Sequence, residues 1–346
     1  MAKIRLDNDY TRTAHYKVIN KIQSNLDFDF PGYGEDKCCK EATNIIRSLI
    51  KKPDASVYFL TGATQANLII ISAALSPVQS IICADTGHIF CHEAASAEHT
   101  GHKVQALPSS DGKITAEQIE EIAESYYKSP KDYLTEPKLV YISFPTELGT
   151  LYSRSELEAI SSICKRYNMY LFVDGARLGY GIGSSENDVE IQDIGSLTDA
   201  FVIGGTKCGA MFGEAIVLTN PALKNNFKTY MKQNGAVLAK GWLMGLQFIA
   251  LLENGTYWKI CKKADEEATR LRGAFRGKGI PEYVVSPTNQ QFIILTNEQA
   301  KALSEKIVFR EEKQIDDNHK CVRFCTSWST TDHDIDVVIE AINDLK

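Results

Sequence analysis

The sequence predicts an α/β protein: a large domain on a mostly parallel seven-stranded sheet, followed by a smaller C-terminal α/β domain. Three observations predict it. Apolar runs of strand length alternate with amphipathic runs of helix length from about residue 57 to 218, the pattern of a parallel sheet with crossover helices. The pattern changes after Asn254-Gly255, a helix stop. With 346 residues and 44% hydrophobic side chains, the chain can bury two cores that share an interface. The expected division is an N-terminal segment over 1–20, a large domain over 21–254 and a small domain over 255–346.

Strands are expected at 57–60, 80–84, 103–107, 139–143, 170–174, 200–203 and 215–218, with helices between them at 65–75, 115–127 and 154–167. Ser153-Arg-Ser-Glu156 opens the last of these as a capping box, in which each side chain satisfies a backbone N–H of the first turn. A long apolar helix over 241–253 then ends at Asn254-Gly255. Beyond it come a helix over 257–275, strands near 283–285 and 291–295, a helix over 298–307, a strand over 320–326 and a last helix. There is no internal repeat and no low-complexity tract.

Composition narrows the function. The net charge is −6 and the Lys and Arg residues are scattered, so no nucleic-acid surface is expected. The start, Met1-Ala-Lys-Ile-Arg-Leu-Asp7, lacks the apolar core of a signal peptide. The longest apolar stretches, 68–75 and 242–252, are too short to span a bilayer, so no membrane partner is expected. Nine cysteines, an odd number without a CxxC pair, include Cys83, Cys321 and Cys325 within apolar strands. That usage fits reduced, buried thiols in a cytoplasmic protein, and no metal is expected at Cys38-Cys39 or Cys321/Cys325.

The chemistry concentrates on Lys207, in the Gly-rich turn of Phe201-Val-Ile-Gly-Gly-Thr-Lys-Cys-Gly-Ala-Met-Phe-Gly-Glu-Ala-Ile-Val217. An earlier strand ends in Asp174-Gly-Ala-Arg177. A lysine fixed on such a turn can form a Schiff base, and a carboxylate at a neighbouring strand end can keep the pyridinium nitrogen of pyridoxal 5'-phosphate (PLP) protonated. Taken singly, a turn lysine is usually solvated and a strand-end Asp usually caps a helix. In this order the two point to a PLP enzyme.

Other segments fit around that pair. Thr61-Gly-Ala-Thr-Gln-Ala-Asn67 leads from a strand into a helix, and its small residues let free N–H groups approach a phosphate. Asp85-Thr-Gly-His-Ile-Phe90 follows another strand end, where open α/β sheets bind ligands, so His88 can lie over a cofactor ring, with His92-Glu93 supporting the same wall. Arg177 can hold a carboxylate bidentately. Arg323, mid-strand in Cys321-Val-Arg-Phe-Cys325, serves either a structural ion pair or a substrate carboxylate. Leu178-Gly-Tyr-Gly-Ile-Gly183 lacks the GxGxxG spacing of a nicotinamide site.

At these residues the chain resembles the threonine aldolase family of PLP-dependent lyases, a β-eliminating lyase group within the fold-type I, aspartate aminotransferase-like superfamily. The resemblance runs from Leu6-Asp-Asn-Asp-Tyr10 and Gly32-Tyr-Gly-Glu-Asp36 through Gly87-His-Ile89, Asp174-Gly-Ala-Arg-Leu178, Gly205-Thr-Lys207 and Gly213-Glu214 to Arg323-Phe-Cys-Thr-Ser-Trp328. It implies that Lys207 bonds the cofactor, Asp174 contacts the ring nitrogen and His88 stacks on the ring. It further implies that Ala63, Thr64 and Thr206 hold the phosphate, and that Arg177, Arg323 and Asn8 bind the amino-acid carboxylate. Tyr33 and Lys240 resemble positions that approach the site across the interface of a homodimer or homotetramer.

The chain also departs from the commoner pattern. Asn8 stands in place of Ser and Phe90 in place of Tyr, and Pro145-Thr-Glu-Leu148 replaces a Thr-His-Asn stretch. The last change removes a histidine credited with deprotonating the substrate hydroxyl. His15 and, after it, Glu147 are the substitutes. The reading is a low-specificity L-threonine aldolase acting on a small amino acid. Another PLP reaction on the same scaffold (β-elimination, transamination or racemisation) remains the alternative.

Overall fold

The computed structural model describes residues 3–345. Residues 1–2 of the expected N-terminal segment and residue 346 of the expected small domain lie outside the described residues. All seven expected strands are present: β1 (Ser56–Leu60), β2 (Gln79–Ala84), β3 (Lys103–Leu107), β4 (Glu136–Ser143), β5 (Tyr170–Asp174), β6 (Ala200–Gly204) and β7 (Glu214–Leu218). They form one sheet in the order β1-β7-β6-β5-β4-β2-β3. Only β7 runs against the rest, because residues 205–213 return the chain directly beside β6 rather than through a crossover helix.

Alternation along the strands divides the core. Ile82, Val140, Leu171, Val173, Phe201 and Val217 pack on one face, and Ile81, Tyr141, Phe172, Val202 and Ile216 on the other. Both faces are apolar because both are covered, as in other parallel sheets. The second face receives α3 (Ala63–Ala74), whose Ala66, Ile69, Ile70 and Ile71 are buried. The first receives α2 (Lys37–Leu49), α5 (Arg154–Arg166) and the almost wholly buried α6 (Trp242–Leu252), with α4 (Ala116–Lys128) at its margin. The capping box at Ser153 and Glu156 is formed. Two helices before the sheet were not anticipated, α1 (Tyr16–Gln23) and α2. In α2 the buried positions Cys38, Cys39, Ala42 and Ile46 share one stripe, and Asp36 caps it by accepting from the Cys39 amide at 2.7 Å.

After α7 (Thr256–Gly277) comes a four-stranded antiparallel sheet of β8 (Glu282–Val284), β9 (Gln290–Thr296), β10 (Arg310–Gln314) and β11 (His319–Cys325), in the order β10-β11-β9-β8. Helices α8 (Asn297–Ser304) and α9 (Asp332–Asn343) accompany it. The expected helix over 298–307 stops at Ser304, and Ile307–Val308 instead pairs in parallel with Ile4–Arg5. The start of the chain is thereby tied to its C-terminal part, where the Cys325 amide also donates to Leu6 O at 2.7 Å. Strand β10, Arg-Glu-Glu-Lys-Gln, was missed because a charged edge strand carries no apolar alternation. Among the described residues no helix is long and apolar enough to cross a membrane.

Candidate active site

The carboxyl ends of β2, β4, β5 and β6 converge on one edge of the large sheet. In-register pairing of β4 with β5 sets Ser143 beside Asp174. The turn after β6 carries Lys207, the turn after β2 carries His88, and α3 begins at Ala63. These side chains line a cavity with Glu147, Ala176 and Arg177.

Asp174 lies at the floor, 4% exposed. Its Oδ2 accepts from Asn67 Nδ2 at 2.9 Å and Tyr141 Oη at 2.8 Å, and its Oδ1 from the Ala176 amide at 2.9 Å. Burial pushes this carboxyl toward its neutral form. The Asn67 bond, the nearby His88, the Ala176 amide and the Tyr141 bond outweigh burial and hold it below the usual range. Asp174 is therefore a stable buried anion.

Lys207 is half-buried, with Asp174, Asp9 and Glu214 around it. Burial first, then the Arg177 charge, lowers its proton affinity, and the three carboxylates oppose the shift without cancelling it. The Tyr180 hydroxyl fixes the turn by donating to Lys207 O at 2.7 Å. Beneath it, Glu214 accepts from the Gly205 amide at 2.8 Å, and burial pushes it up to about 7.

His88 stands on the other wall, its ring nitrogen Nδ1 2.7 Å from Glu93 Oε1. Burial pulls its basicity down, but the Glu93 bond and the Asp174 charge prevail and raise it. The Asn67 amide nitrogen donates to that same Glu93 oxygen at 2.8 Å, so one buried side chain joins the supports of His88 and Asp174.

Arg177 borders the cavity with its side chain 14% exposed. Part of its fork is engaged by Asp9, with Nε 2.7 Å from Oδ2 and Nη2 3.1 Å from Oδ1. Asp9 is held in turn by Asn289 Nδ2 at 3.0 Å. Nη1 of Arg177 makes no hydrogen bond within the described residues. Arg323 is similarly enclosed, 11% exposed, donating to Gln290 Oε1 at 3.1 Å and Asp7 O at 3.3 Å, with Glu312 3.3 Å from its Nε. Asn8 follows Asp7 directly and donates to its carboxylate at 2.9 Å. Arg323 therefore has a structural ion pair.

At the other end of the cavity, α3 begins without a side-chain cap, and a Cβ at Gly62 would meet no atom within 4 Å. The amides of Ala63, Thr64 and Gln65 make no hydrogen bond within the described residues. Ala63 borders the cavity and Thr64 is exposed one residue further on. The Thr206 hydroxyl accepts from the Gly213 amide at 3.0 Å and braces the Lys207 turn.

Asn8, Thr64, Thr206 and Arg323 do not line the cavity themselves, and three further residues also lie off it. His15 is outside the cavity lining: its Nδ1 caps α1 by accepting from the Lys17 amide at 3.3 Å, and its ring lies 5.9 Å from that of Trp328. Tyr33 and Lys240 are exposed and also off the wall. Their loops are braced together, because the Tyr33 amide donates to Ala239 O at 3.2 Å, and a Cβ at Gly32 would meet that same oxygen at 2.8 Å.

Sequence reasoning assigned no role to Asn67, Tyr141, Asp9 or Asn289. Asn67 did carry a signal: it is a fully buried amide in a helix otherwise lined by Ala and Ile. The partners of the others lie far off in the chain, and no local pattern marks them.

Comparison with known proteins agrees with this architecture. The model of the beta-eliminating lyase family matches residues 11–302. A low specificity L-threonine aldolase of a Pseudomonas sp. is 30% identical over 69% of this chain and 68% of its own. That of Pseudomonas aeruginosa is 28% identical over 91% and 89%. The solved structure of Leishmania major threonine aldolase superposes with a TM-score of 0.96 at 38% identity, covering 98% of each chain. With a family match across most of its length and the fold-type I architecture of these neighbours, the chain belongs to the beta-eliminating lyases, in the threonine aldolase family.

Proposed function

We propose that the chain is a PLP-dependent carbon–carbon lyase, an L-threonine aldolase of low specificity. It cleaves β-hydroxy-α-amino acids such as L-threonine or L-allo-threonine to glycine and an aldehyde. The observation that carries the reading is a lysine of lowered basicity and a stabilised buried carboxylate on one cavity, beside an uncapped helix N-terminus.

Those residues fit PLP. Lys207 would hold its aldehyde end, Asp174 its ring nitrogen and His88 one ring face, with Ala63, Thr64 and Thr206 at the phosphate. When bound, PLP supplies an electron sink for the pair left on Cα as a bond to that carbon breaks.

The protein's own groups do the rest. Arg177 binds the substrate carboxylate and sets the Cα–Cβ bond at the angle from which it breaks, and Arg323 and Asn8 would join it only by giving up part of their own ion pair and hydrogen bonds. Asp9 keeps the Arg177 fork from rotating. Lys207, its neutral form favoured by burial, can take and return a proton. Tyr33 and Lys240, away from their own cavity, would reach that of a neighbouring copy in a homodimer or homotetramer. Eight of the nine free cysteines are buried, which suits the reducing cytoplasm.

The test is product analysis. Purified protein with PLP should release glycine and acetaldehyde from L-threonine in equal amounts, and little pyruvate from L-serine. Pyruvate as the main product would replace the aldolase with a β-eliminating enzyme.

A further inference from the structure

We infer that Glu147 is the general base that takes the proton of the substrate β-hydroxyl, an inference that rests on the aldolase reading. Glu147 lies on the turn after β4 and lines the cavity together with Lys207, Asp174 and Arg177. Its Oε1 is anchored from two sides, by Ser143 Oγ at 2.6 Å and by the His88 backbone N–H at 2.9 Å. Among the described residues no other residue donates to its Oε2, and the only further hydrogen bond to the carboxylate is from its own backbone N–H. One oxygen is thus fixed by the fold and the other is left for a ligand, the arrangement a positioned base requires.

Of the other acid–base groups, Asp174 and the Nδ1 of His88 are engaged, and the Nε2 of His88 and the Lys207 amine are the rivals on the same wall. Asp174 accepts three hydrogen bonds. His88 Nδ1 is bound to Glu93. His15 caps α1 outside the cavity lining, and His92 is exposed, with Arg310 and Arg323 among the charges acting on it.

The electrostatics suit the role. Burial raises the Glu147 carboxyl above the ordinary range; the Ser143 bond pulls it back and the Asp174 charge pushes it further up. The groups facing it are His88, Cys83 and Cys91 from the β2 side, Tyr141 and Asp174 from the sheet, Tyr152, and Arg177 and Lys207 on the shared cavity wall. A carboxylate with raised proton affinity is a stronger base than an exposed one.

The step balances. The hydroxyl proton moves to Glu147 Oε2, and the O–H pair becomes the second bond of the aldehyde carbonyl. The Cα–Cβ bond breaks, and its pair remains on Cα. Glycine is complete once Cα takes a proton, so no net proton or electron is consumed. Exchange of the α-proton of glycine itself involves no β-hydroxyl and makes no demand on this base.

Two rates separate the roles in the PLP-loaded protein: L-threonine cleavage, and α-proton exchange of glycine in deuterated water. Glu147→Gln keeps an acceptor oxygen for Ser143 and His88. It should lower kcat/KM for cleavage by about 10²–10⁴-fold, with the loss in glycine exchange at least tenfold smaller. The ascending limb of the pH profile should vanish in Glu147→Gln. In Ser143→Ala, which removes a bond that favours the carboxylate, that limb should move to higher pH. Thermal unfolding and the absorbance of the PLP complex check folding and cofactor loading; if Glu147→Gln does not fold, the Ser143→Ala limb decides. Parallel loss of both rates, cleavage within tenfold of wild type, or an unmoved limb in Ser143→Ala would overturn the assignment. If wild-type protein releases no glycine from threonine, the aldolase reading itself fails; if wild type and Glu147→Gln cleave equally well, only the base is wrong.

Discussion

Asn67 and Asp174 are joined by a buried hydrogen bond of 2.9 Å, and the same amide nitrogen holds Glu93 at 2.8 Å. Both donor hydrogens of one side chain are spent on carboxylates, one beneath the cavity and one behind His88. Replacing Asn67 with Ala leaves two buried acceptors each short of a donor, at about 1–3 kcal/mol apiece. We expect a lower urea midpoint at unchanged slope, together with weaker PLP binding. Stability within about 0.5 kcal/mol of wild type would contradict the clamp.

Lys207→Ala should abolish threonine cleavage while leaving the fold intact, because it removes a half-buried amine from a turn held by backbone and Tyr180 contacts. Borohydride reduction followed by peptide mass analysis should attach the cofactor to Lys207 in wild type and nowhere in the variant. Near-wild-type turnover would sink the assignment.

Asp174→Asn should reduce cleavage by several orders of magnitude with PLP still bound. The Asn67, Tyr141 and Ala176 donors all point at this group, so an amide turns its NH₂ against at least one of them. A neutral amide also cannot hold the ring proton. A fall of less than about tenfold, roughly 1.4 kcal/mol of barrier, would rule that role out.

Glu214 predicts a pH dependence of stability in the cofactor-free protein. Burial pushes it up to about 7 from an ordinary 4.5, so the native state binds its proton more tightly than the unfolded chain does. The contribution is complete below the unfolded value and is lost as pH rises through the folded one. Across pH 4.5 to 7.5, wild type should lose on the order of 3 kcal/mol relative to Glu214→Gln. Parallel stability curves for the two proteins would remove Glu214 as the cause.

Hybrid assembly tests the proposal that Tyr33 and Lys240 reach the cavity of a neighbouring copy. Lys207→Ala and Tyr33→Ala proteins, each inactive or impaired alone, should recover part of the activity when mixed and reassociated, through one intact site per hybrid dimer. A fully active monomer in sedimentation at assay concentration excludes the arrangement.

Much of this protein was legible in its sequence because it is local. The strands that carry Asp174 and Lys207 are short apolar runs, and the turns after them are marked by glycine, so the two residues could be placed at sheet ends before their partners were known. The polar strand Arg310–Gln314 and the helices at Tyr16–Gln23 and Lys37–Leu49 escaped, the strand because its pairing rather than its side chains makes it one. What only the tertiary structure decided are contacts between residues distant in the chain: Asn67 with Asp174, Asp9 with Arg177, and Glu147 with the His88 amide. Periodicity reports whether a residue faces a core, since burial follows from its neighbours along the chain. It does not report which buried carboxylate meets which donor, because that is set by strand order and register once the sheet has closed.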